Sequence, residues 1–529
     1  MSKKFYNKHL LIFSLILIVY YFLSTQLSYD SFFVGDDYTM LSFNDTNFLK
    51  TLLFTDSWWR PFKNIFYNYF NLNFYLNAFL IVKIKIFIHL FNSTIIYFYF
   101  LKYSKDNFIS ILLATLFLTH QSGVMAVISV DTVGQQFCTL FGILSFISIK
   151  SFCDSQKNRY LFLSVFLMFL SLLSKENGVS FIFINFLVLI FFNSGKKIFD
   201  LKNQFSKNIL PLILILLILL IFLYLRSLLN ASWSPNFGNE RYSINLVYVL
   251  KNFIQYNVSI LSPLDNTFIY LLLKNLDNLN LYLIIIISFI IFIYYILFKN
   301  IIIDQQKILF FIIFICSSLP VILLSHISEL YTYHSIFFFS LLLLVCLKRK
   351  NNFEFFKKIF LCLFVLISLM STIIKLNNNN NNSILSKKLY NYFDSIKNNQ
   401  NLTSKLYFIE NKDLFNKYSI FKINSLEFLV PRFYIRDNLK FDYIPIRENN
   451  KNFFSEGDTF RTNVGDGRGL QPIPKDILFD PNFTLIYLDV PKNRMNLRQI
   501  IHYYLFQNQC ILFISPITKI DKKLCKNSS

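Results

Sequence analysis

The amino-acid sequence predicts a polytopic α-helical membrane protein of about eleven spans, followed by a soluble C-terminal domain of α/β or mainly β structure. Three observations indicate this fold class. Of the 529 residues 54% are hydrophobic, including 65 Phe and 31 Tyr, which is more apolar surface than a soluble domain can bury. Apolar runs near bilayer-spanning length recur through the first 375 residues. From Ser383 onward the composition turns polar.

Changes in composition divide the chain into parts. Residues 1–375 are interpreted as a multi-span membrane domain with two substantial outer loops, 28–77 and 229–280. The asparagine run predicts a linker over 376–382, because such a tract lacks the apolar groups of a packed core. Residues 383–529 then form an extracytoplasmic soluble domain.

Hydropathy places the individual spans. The first apolar run follows a basic leader and lacks a small-residue cleavage site, which favours an uncleaved span over a signal peptide. Residues 124–130 are interpreted as a shallow dip into the membrane. The predicted spans are 10–23, 78–101, 108–119, 132–149, 160–174, 179–192, 209–228, 281–298, 308–324, 335–347 and 359–374.

The formal net charge of +22 could suggest nucleic acid, but the positions of the charges favour a lipid bilayer as the partner instead. Much of the Lys and Arg lies in short loops between apolar runs, as at Lys102 and at 348–350. Loops rich in these residues stay on the cytoplasmic side. We therefore expect no nucleic-acid partner and an integral protein of a bacterial inner membrane, with the loops 28–77 and 229–280 and the tail outside the cytoplasm.

Short apolar runs in the tail predict strands at 406–409, 428–434, 484–488 and 511–514. Among the seven cysteines, Cys510 and Cys525 lie together in this polar region. They could form a disulfide if the region is extracytoplasmic, and two unpaired thiols are the alternative.

Asp36 and Asp37, just past the first span, are the first candidates for catalysis. Neighbours in an extended segment point to opposite faces, so one carboxylate could act as a general base while the other anchors the loop or binds a divalent cation. A solvated acidic turn is the alternative. No metal or other cofactor is otherwise indicated.

Polar side chains inside the second span, Lys85 and His89, are candidates for binding the substrate. Lys85 and His89 lie one helical turn apart and share a face, and polar groups within a membrane segment are costly unless they serve a purpose. His89 and Asn92 could equally form a hydrogen-bonded packing pair. Lys83 is interpreted as extending toward the membrane surface.

After the aspartate pair, a second cluster at the predicted outer face is formed by Lys175 and Glu176. Lys175 and Glu176 form a turn between two short spans, either as a salt bridge or as a phosphate-contacting lysine held by its neighbour. Arg60 could contact the same kind of phosphate or a lipid headgroup.

The third cluster is Glu329, Tyr331 and Tyr333, for which a belt of interfacial aromatic residues is the alternative. The concentration of acids, bases and aromatic residues at one face is more typical of an enzyme than of a channel.

In this order the motifs resemble the GT-C glycosyltransferases that use polyprenyl-phosphate sugars, in the branch of the protein O-mannosyltransferases and their transmembrane TPR-containing relatives. The resemblance covers residues 1 to about 350. The positions that carry it are Asp36, Asp37, Arg60, Pro61, His89, Asn92, His120, Lys175, Glu176, Gly178, Glu329, Tyr331 and Tyr333.

The resemblance implies an inverting transfer of a sugar from a polyprenyl-phosphate donor to a glycan, a lipid-linked saccharide or a protein. It implies that Asp36 or Asp37 deprotonates the acceptor hydroxyl and that Lys175 and Arg60 stabilise the leaving phosphate. The chain departs from the family pattern at Gln121, where a proline is usual, and it has no TPR repeats.

Two alternatives stay open. One is a polysaccharide polymerase or ligase, which also uses lipid-linked sugars. The other is a transporter or flippase of such lipids, for which internal repeats or broken helices with charges at mid-membrane are more typical.

Overall fold

The computed structural model describes most of the predicted membrane domain and a set of strands in the tail. In the membrane domain the described residues are 3–33, 37, 47–53, 55–56, 58–74, 77–191, 208–229, 245–266, 268–269, 305–323, 328–347 and 354–398.

The membrane domain is built from helices. They are α1 (Lys3–Leu27), α2 (Phe48–Leu53), α3 (Pro61–Phe74), α4 (Ala78–Ser104), α5 (Asn107–Thr119), α6 (Val124–Ile128), α7 (Val133–Ser155), α8 (Asn158–Ser174), α9 (Val179–Phe191), α10 (Ile209–Leu228), α11 (Leu246–Leu261), α12 (Gln305–Ser317), α13 (Leu319–Ile322), α14 (Tyr333–Leu347) and α15 (Glu354–Asn398).

Short 3₁₀ turns lie at Gln121–Gly123, Val130–Thr132, Glu176–Gly178 and Glu329–Thr332. Strands β1 (Thr55–Asp56) and β2 (Trp58–Trp59) pair antiparallel before α3.

Within the described residues, six helical segments are long and apolar enough to cross a membrane: α1, α4, α10, α15, and α7 and α14 each taken with the 3₁₀ turn that precedes it (Val130–Ser155 and Glu329–Leu347). A seventh span arises if α5 and α6, which are bent by 44° at the turn between them, form one segment. Shorter apolar helices are α8, α9 and the α12–α13 pair. Each predicted span coincides with one of these helices except 281–298, which lies outside the described residues. The fold is mostly helical, as a polytopic membrane protein requires.

The outer surfaces of these helices are apolar. Leu11 of α1 is 72% exposed, Phe162 of α8 is 64% exposed, and Met370 of α15 is 66% exposed. Soluble monomers rarely expose apolar patches of such extent. The exposed side chains therefore fit a lipid environment around the bundle.

Small and polar residues hold the interior helices together. Ser145 and Ser164 each donate a hydroxyl hydrogen bond of 3.0 Å to the backbone carbonyl of the other, which joins α7 to α8. Asn185 of α9 donates to the Ser145 hydroxyl at 2.7 Å. A Cβ at Gly142 would lie 2.2 Å from the ring of Phe181, so glycine permits the close approach of α7 and α9. Such contacts replace the hydrophobic effect as a packing force inside a bilayer.

The asparagine run is helical, in contrast to the linker predicted for 376–382. Helix α15 continues through it to Asn398. The backbone N–H of Asp30 donates to the Asn380 side-chain oxygen at 2.9 Å, and the Ser386 hydroxyl donates to the Phe33 carbonyl at 2.6 Å. These contacts with the segment after α1 explain why a sequence of low helix propensity stays helical.

The strands of the tail are β3 (Leu406–Asn411), β4 (Phe441–Ile446), β5 (Thr459–Thr462), β6 (Leu470–Pro472), β7 (Thr484–Leu488), β8 (Cys510–Ile514) and β9 (Lys522–Cys525). They pair in the order β6-β5-β4-β3-β7-β8-β9.

In this sheet β3 is parallel to both β4 and β7, and the remaining pairs are antiparallel. Strands β3, β7 and β8 overlap the predicted runs, whereas 428–434 lies outside the described residues. The register of β8 and β9 places Cys510 opposite Cys525.

The continuity of α15 can be tested at Asn379. Proline inside a helix removes a backbone hydrogen bond and costs about 3 kcal/mol, whereas alanine improves helix propensity by a few tenths of a kcal/mol. We expect Asn379→Pro to lower the thermal unfolding temperature of the purified protein and Asn379→Ala to maintain or raise it. Equal unfolding temperatures for the two variants would show that the run behaves as a linker.

Candidate functional site

The polar candidates converge at one end of the helix bundle, which we call the site end. Helices α4, α7, α9 and α14 begin there, and α5, α8 and α10 end there. Alternating helices bring these termini together although they lie far apart in the chain. Three turns and one residue of the first outer loop meet at the site end: the turn 129–132, the turn 175–178, the turn 329–332 and Asp37.

Glu176 pairs with two arginines. The Nε of Arg60 donates to its two carboxylate oxygens at 3.1 and 3.0 Å, and Nη2 of Arg60 adds a bond of 2.8 Å. Nη1 of Arg226 donates at 3.2 Å. Burial raises the pKa of Glu176, but the two guanidinium groups outweigh it and lower the pKa to about 2. The carboxylate is therefore permanently charged and ties α3 and α10 to the 175–178 turn.

Lys175 does not share in this pairing. Its side chain is 5% exposed, and its ammonium lies 4.9 Å from the centroid of the Tyr331 ring. No hydrogen bond or ion pair of this ammonium occurs among the residues that the structure describes. The salt bridge between Lys175 and Glu176 that the sequence allowed is therefore not formed, and a buried cation is left facing an aromatic ring.

Burial lowers the pKa of Lys175 to about 7, and the positive charge of Arg60 acts in the same direction. An ammonium with this pKa is easily restored to its charged form by a nearby anion. The Tyr331 ring faces it, and the charged and titratable groups within its electrostatic range include Arg60, Lys63, Asp131, Cys138, Glu176 and His334.

Glycine permits the shape of the 175–178 turn. A Cβ at Gly178 would lie 2.8 Å from the backbone nitrogen of Leu172 and 2.8 Å from the backbone carbon of Ser171, both in the last turn of α8. Any side chain would force the start of α9 away from the end of α8. Close packing of α8 against α9 therefore explains why glycine stands at position 178 of the Lys-Glu-x-Gly motif.

Asp37 is 2% exposed and holds the turn 129–132. Its Oδ1 accepts the backbone N–H of Asp131 at 2.8 Å and the hydroxyl of Ser129 at 3.2 Å. The Ser129 hydroxyl also lies 2.9 Å from the Asp131 carboxylate. The first loop and the start of α7 therefore meet through two carboxylates. Asp36, the other member of the predicted pair, lies outside the described residues.

Lys85 and Tyr67 hold the same turn from the other side. The Lys85 ammonium donates to the Ser129 carbonyl and to the Thr132 hydroxyl, and the side chain is fully buried. The Tyr67 hydroxyl donates to the Val130 carbonyl. Lys85, expected from the sequence to contact substrate, is thus used by the protein to position the turn.

His89 and Tyr333 form an interhelical contact. The Nε2 of His89 faces the Leu118 carbonyl at 2.9 Å and therefore carries the proton, so Nδ1 accepts from the Tyr333 hydroxyl at 2.7 Å. Asn92 donates to the same hydroxyl at 3.3 Å. All three side chains are buried, which agrees with the packing interpretation of His89 and Asn92.

His120 is also bonded to the protein through both ring nitrogens. Its Nε2 faces the Ile260 carbonyl at 2.9 Å, and its Nδ1 accepts from the Ser122 hydroxyl at 2.9 Å. It thereby caps the turn between α5 and α6 and attaches it to α11. Gln121, the departure from the family pattern, donates to the Ser259 carbonyl at 3.1 Å.

Glu329 belongs to a buried ionic cluster with Lys375 of α15. The Lys375 ammonium lies 2.5 Å from Glu329 Oε2 and 3.2 Å from Asp265 Oδ1, and it donates to the Gln121 side-chain oxygen at 2.6 Å. Asn266 donates to Glu329 Oε1 at 2.7 Å. This cluster fixes the turn that carries Tyr331, and so fixes the ring beneath the Lys175 ammonium.

Several of these residues were not predicted. Asp131, Lys63, Arg226 and Lys375 were not site candidates, yet each interacts with one that was. Asp131 and Lys375 lie beside or within apolar runs, and a charge in such a run is itself a signal of function. Within the described part of the chain, no group of three His, Cys, Asp or Glu side chains is placed to hold a metal ion.

Comparison of the chain with protein-family models, with curated proteins and with solved structures finds no match.

Gly134 determines how closely the 129–132 and 175–178 turns approach. A Cβ at this position would lie 2.7 Å from the Ser174 carbonyl, which is backbone and cannot rotate away. Ser174 precedes Lys175, and Gly134 follows Asp131 by three positions in the chain. A methyl group here must push the two turns apart.

We expect Gly134→Ala to lower the thermal unfolding temperature. We also expect it to raise the rate at which an amine-reactive reagent acylates Lys175, a rate that mass spectrometry measures. Overpacking of this kind typically costs 1–3 kcal/mol. Gly142→Ala is the matched control, because it overpacks α7 about 12 Å further along the helix. It should lower stability without exposing Lys175. Equal acylation rates in the wild type and Gly134→Ala would contradict the packing argument.

Proposed function

We propose that this protein is a membrane glycosyltransferase that transfers a sugar from a polyprenyl-phosphate donor to a hydroxyl acceptor outside the cytoplasm. The observation that carries the proposal is the ammonium of Lys175, which is buried, has no hydrogen-bond or ion-pair partner among the described residues, and lies in the electrostatic range of Asp131. The acceptor is a glycan, a lipid-linked saccharide or a protein.

A phosphate suits this position on electrostatic grounds. A buried charge without a counter-ion is costly, and an anion at Lys175 would remove that cost. Glu176 cannot serve, because its carboxylate is already paired with two guanidinium groups. Charge-assisted bonds from an ammonium to a phosphate oxygen are strong, and they become stronger as charge develops on the leaving group.

A lipid-borne donor suits the surroundings. The site end lies where apolar helices with lipid-exposed surfaces terminate. A polyprenyl chain could remain in the bilayer while its phosphate reaches Lys175. The arrangement combines a cation for the phosphate with carboxylates for an acceptor hydroxyl, as group transfer from a phosphate ester requires.

The finer features of the proposal rest on the sequence. We place the site end and the C-terminal domain outside the cytoplasm, in a bacterial inner membrane, because of the distribution of Lys and Arg. A GT-C-like arrangement of about eleven spans and an inverting reaction are carried by the order of the motifs. A polymerase or ligase that uses the same donor class is the nearest alternative enzyme.

A second candidate function is transport of the lipid-linked sugar. The bend of 44° between α5 and α6 favours it, because broken helices beside buried charges are typical of transporters. Lys375 donates to the backbone carbonyl of Gln121 at that bend, at 3.1 Å. The two functions differ in one chemical outcome, which is whether the bond between sugar and phosphate is broken.

Purified protein in lipid vesicles, supplied with the lipid extract and envelope fraction of a strain lacking its gene, tests the proposal. With no ion gradient, we expect mass spectrometry to show release of free polyprenyl phosphate. Lys175→Met should reduce the release about tenfold to a hundredfold, the value of one charged hydrogen bond. Lys83→Met is the control, because Lys83 lies 4.1 Å from the Phe79 ring centroid on α4 and should leave release unchanged. Passage of intact donor across the bilayer with no release would establish the transporter instead.

The pKa of Lys175 predicts a pH dependence of donor binding. Because the free ammonium loses its proton near pH 7, binding of a polyprenyl phosphodiester should be strongest below pH 7 and should weaken as pH rises toward 9. A phosphodiester keeps one negative charge over this range, so the ligand itself does not titrate. Lys175→Arg stays protonated and should bind with little dependence on pH. The same decline in wild type and Lys175→Arg would assign the titration to another group.

A further inference from the structure

The turn 129–132 holds Asp131 in a fixed position. Its backbone N–H is bonded to Asp37, and its preceding carbonyl at Val130 accepts from Tyr67. The Lys85 ammonium bonds to the residues on either side of this pair, Ser129 and Thr132. Contacts from three separate elements thus converge on one turn of four residues.

These contacts leave the Asp131 side chain the more accessible carboxylate. Asp37 is 2% exposed and its Oδ1 accepts the Asp131 N–H at 2.8 Å, whereas Asp131 is half-buried and its carboxylate shares the Ser129 hydroxyl with Asp37. A carboxylate that must reach a proton on a substrate needs access to that substrate. A rigid surrounding shell is what holds a reacting group within about 0.5 Å of its productive position.

A second, independent observation indicates that a ligand lies next to Asp131. The Lys175 ammonium lies within electrostatic range of Asp131, is nine-tenths buried, and has no hydrogen-bond partner within the described residues. The turns that carry the two residues are packed against each other, since a Cβ at Gly134 would lie 2.7 Å from the Ser174 carbonyl. An anion at Lys175 would therefore lie within electrostatic range of the Asp131 carboxylate.

We propose that Asp131 is the carboxylate that accepts the proton of the acceptor hydroxyl, and that Asp37 is a positioning residue that orients the turn carrying it. This inference rests on the proposed glycosyltransferase function and changes the assignment of its base, which the sequence resemblance had placed at Asp36 or Asp37.

In the proposed step the acceptor hydroxyl displaces polyprenyl phosphate from the donor sugar. The acceptor oxygen forms a bond to the anomeric carbon of the donor sugar, and its proton passes to the Asp131 carboxylate. The bond between the anomeric carbon and the phosphate oxygen breaks, and the electron pair leaves with polyprenyl phosphate. The Lys175 ammonium compensates the charge that develops on that phosphate.

The amide of asparagine separates the two roles. At position 37 it retains a side-chain oxygen that can accept from Asp131 N–H and from Ser129, so a positioning role survives in part. At position 131 it cannot accept a proton, so a catalytic role is lost while the turn keeps its backbone contacts.

The experiment measures two quantities on purified variants. One is release of polyprenyl phosphate from the lipid extract and envelope fraction of a strain lacking the gene. The other is binding of a polyprenyl phosphodiester. We expect Asp131→Asn to reduce release about a hundredfold or more, as for loss of a general base, with binding unchanged or tighter because a negative charge near the lysines is removed. Asp131→Glu should restore part of the release.

We expect Asp37→Asn to keep release within about tenfold of wild type, as for the loss of one charged hydrogen bond, and Asp37→Val to lose both release and binding. The inference is overturned if Asp131→Asn releases polyprenyl phosphate at the wild-type rate, or if Asp37→Asn or Asp36→Asn loses as much release as Asp131→Asn with binding intact. Failure of the proposed function looks different, because the wild type itself would then release no polyprenyl phosphate.

Discussion

The pairing of Glu176 with two arginines is the interaction on which the site depends. A carboxylate next to a lysine in sequence would ordinarily neutralise it, and here it is already bonded to Arg60 and Arg226. Because both guanidinium groups come from other elements, the pairing also holds the end of α8 and the start of α9 against α3 and α10. The Lys175 ammonium is left facing the Tyr331 ring.

The remaining contacts at the site end hold the turn 129–132 close to the turn that carries Lys175. The close approach at Gly134 brings the start of α7 against the end of α8, and Asp37, Tyr67 and Lys85 orient the turn that precedes it. Helix α15 contacts two of these segments. Its Lys375 pairs with Glu329 in the turn that carries Tyr331, and its Asn380 accepts a hydrogen bond from the backbone of Asp30, in the segment that follows α1. Polar groups at the site end thus fix the turns that carry Lys175 and Asp131.

The sequence predicted the helices well because hydropathy reports directly on which segments can lie in a membrane. It also singled out charged and aromatic residues of the turns that meet at the site end, since such residues stand out where apolar runs end, and their function stays a prediction. The sequence could not indicate which charged side chains form ion pairs with each other. Glu176 lies 116 positions from Arg60 and 50 from Arg226, so only the folded chain shows that it prefers them to its neighbour Lys175. The sequence also could not show which groups His89 and Lys85 contact. Both were candidates for substrate binding, and in the structure His89 bonds to Leu118 and Tyr333 whereas Lys85 bonds to Ser129 and Thr132.

Local composition describes two segments incompletely. The asparagine run, interpreted as a linker, is helical, and the turn at Asp131, which follows the shallow dip predicted for 124–130, is held by contacts that its own sequence does not show. Contacts from distant segments stabilise both structures. The backbone groups of Asp30 and Phe33 bond to side chains of Asn380 and Ser386 in α15, and the Asp37 carboxylate accepts the backbone N–H of Asp131. Tertiary contacts override local preference most often where a chain builds a site.

The proposed function requires first that a lipid phosphate binds next to the Lys175 ammonium. A cryo-electron microscopy structure of the protein in lipid nanodiscs, with a non-transferable polyprenyl-phosphonate sugar bound, would show where the phosphonate lies. We expect a phosphonate oxygen about 2.7–2.9 Å from Nζ of Lys175, with the anomeric carbon directed toward Asp131. A phosphonate bound elsewhere, with the Lys175 ammonium paired to a protein carboxylate, would exclude this role of Lys175.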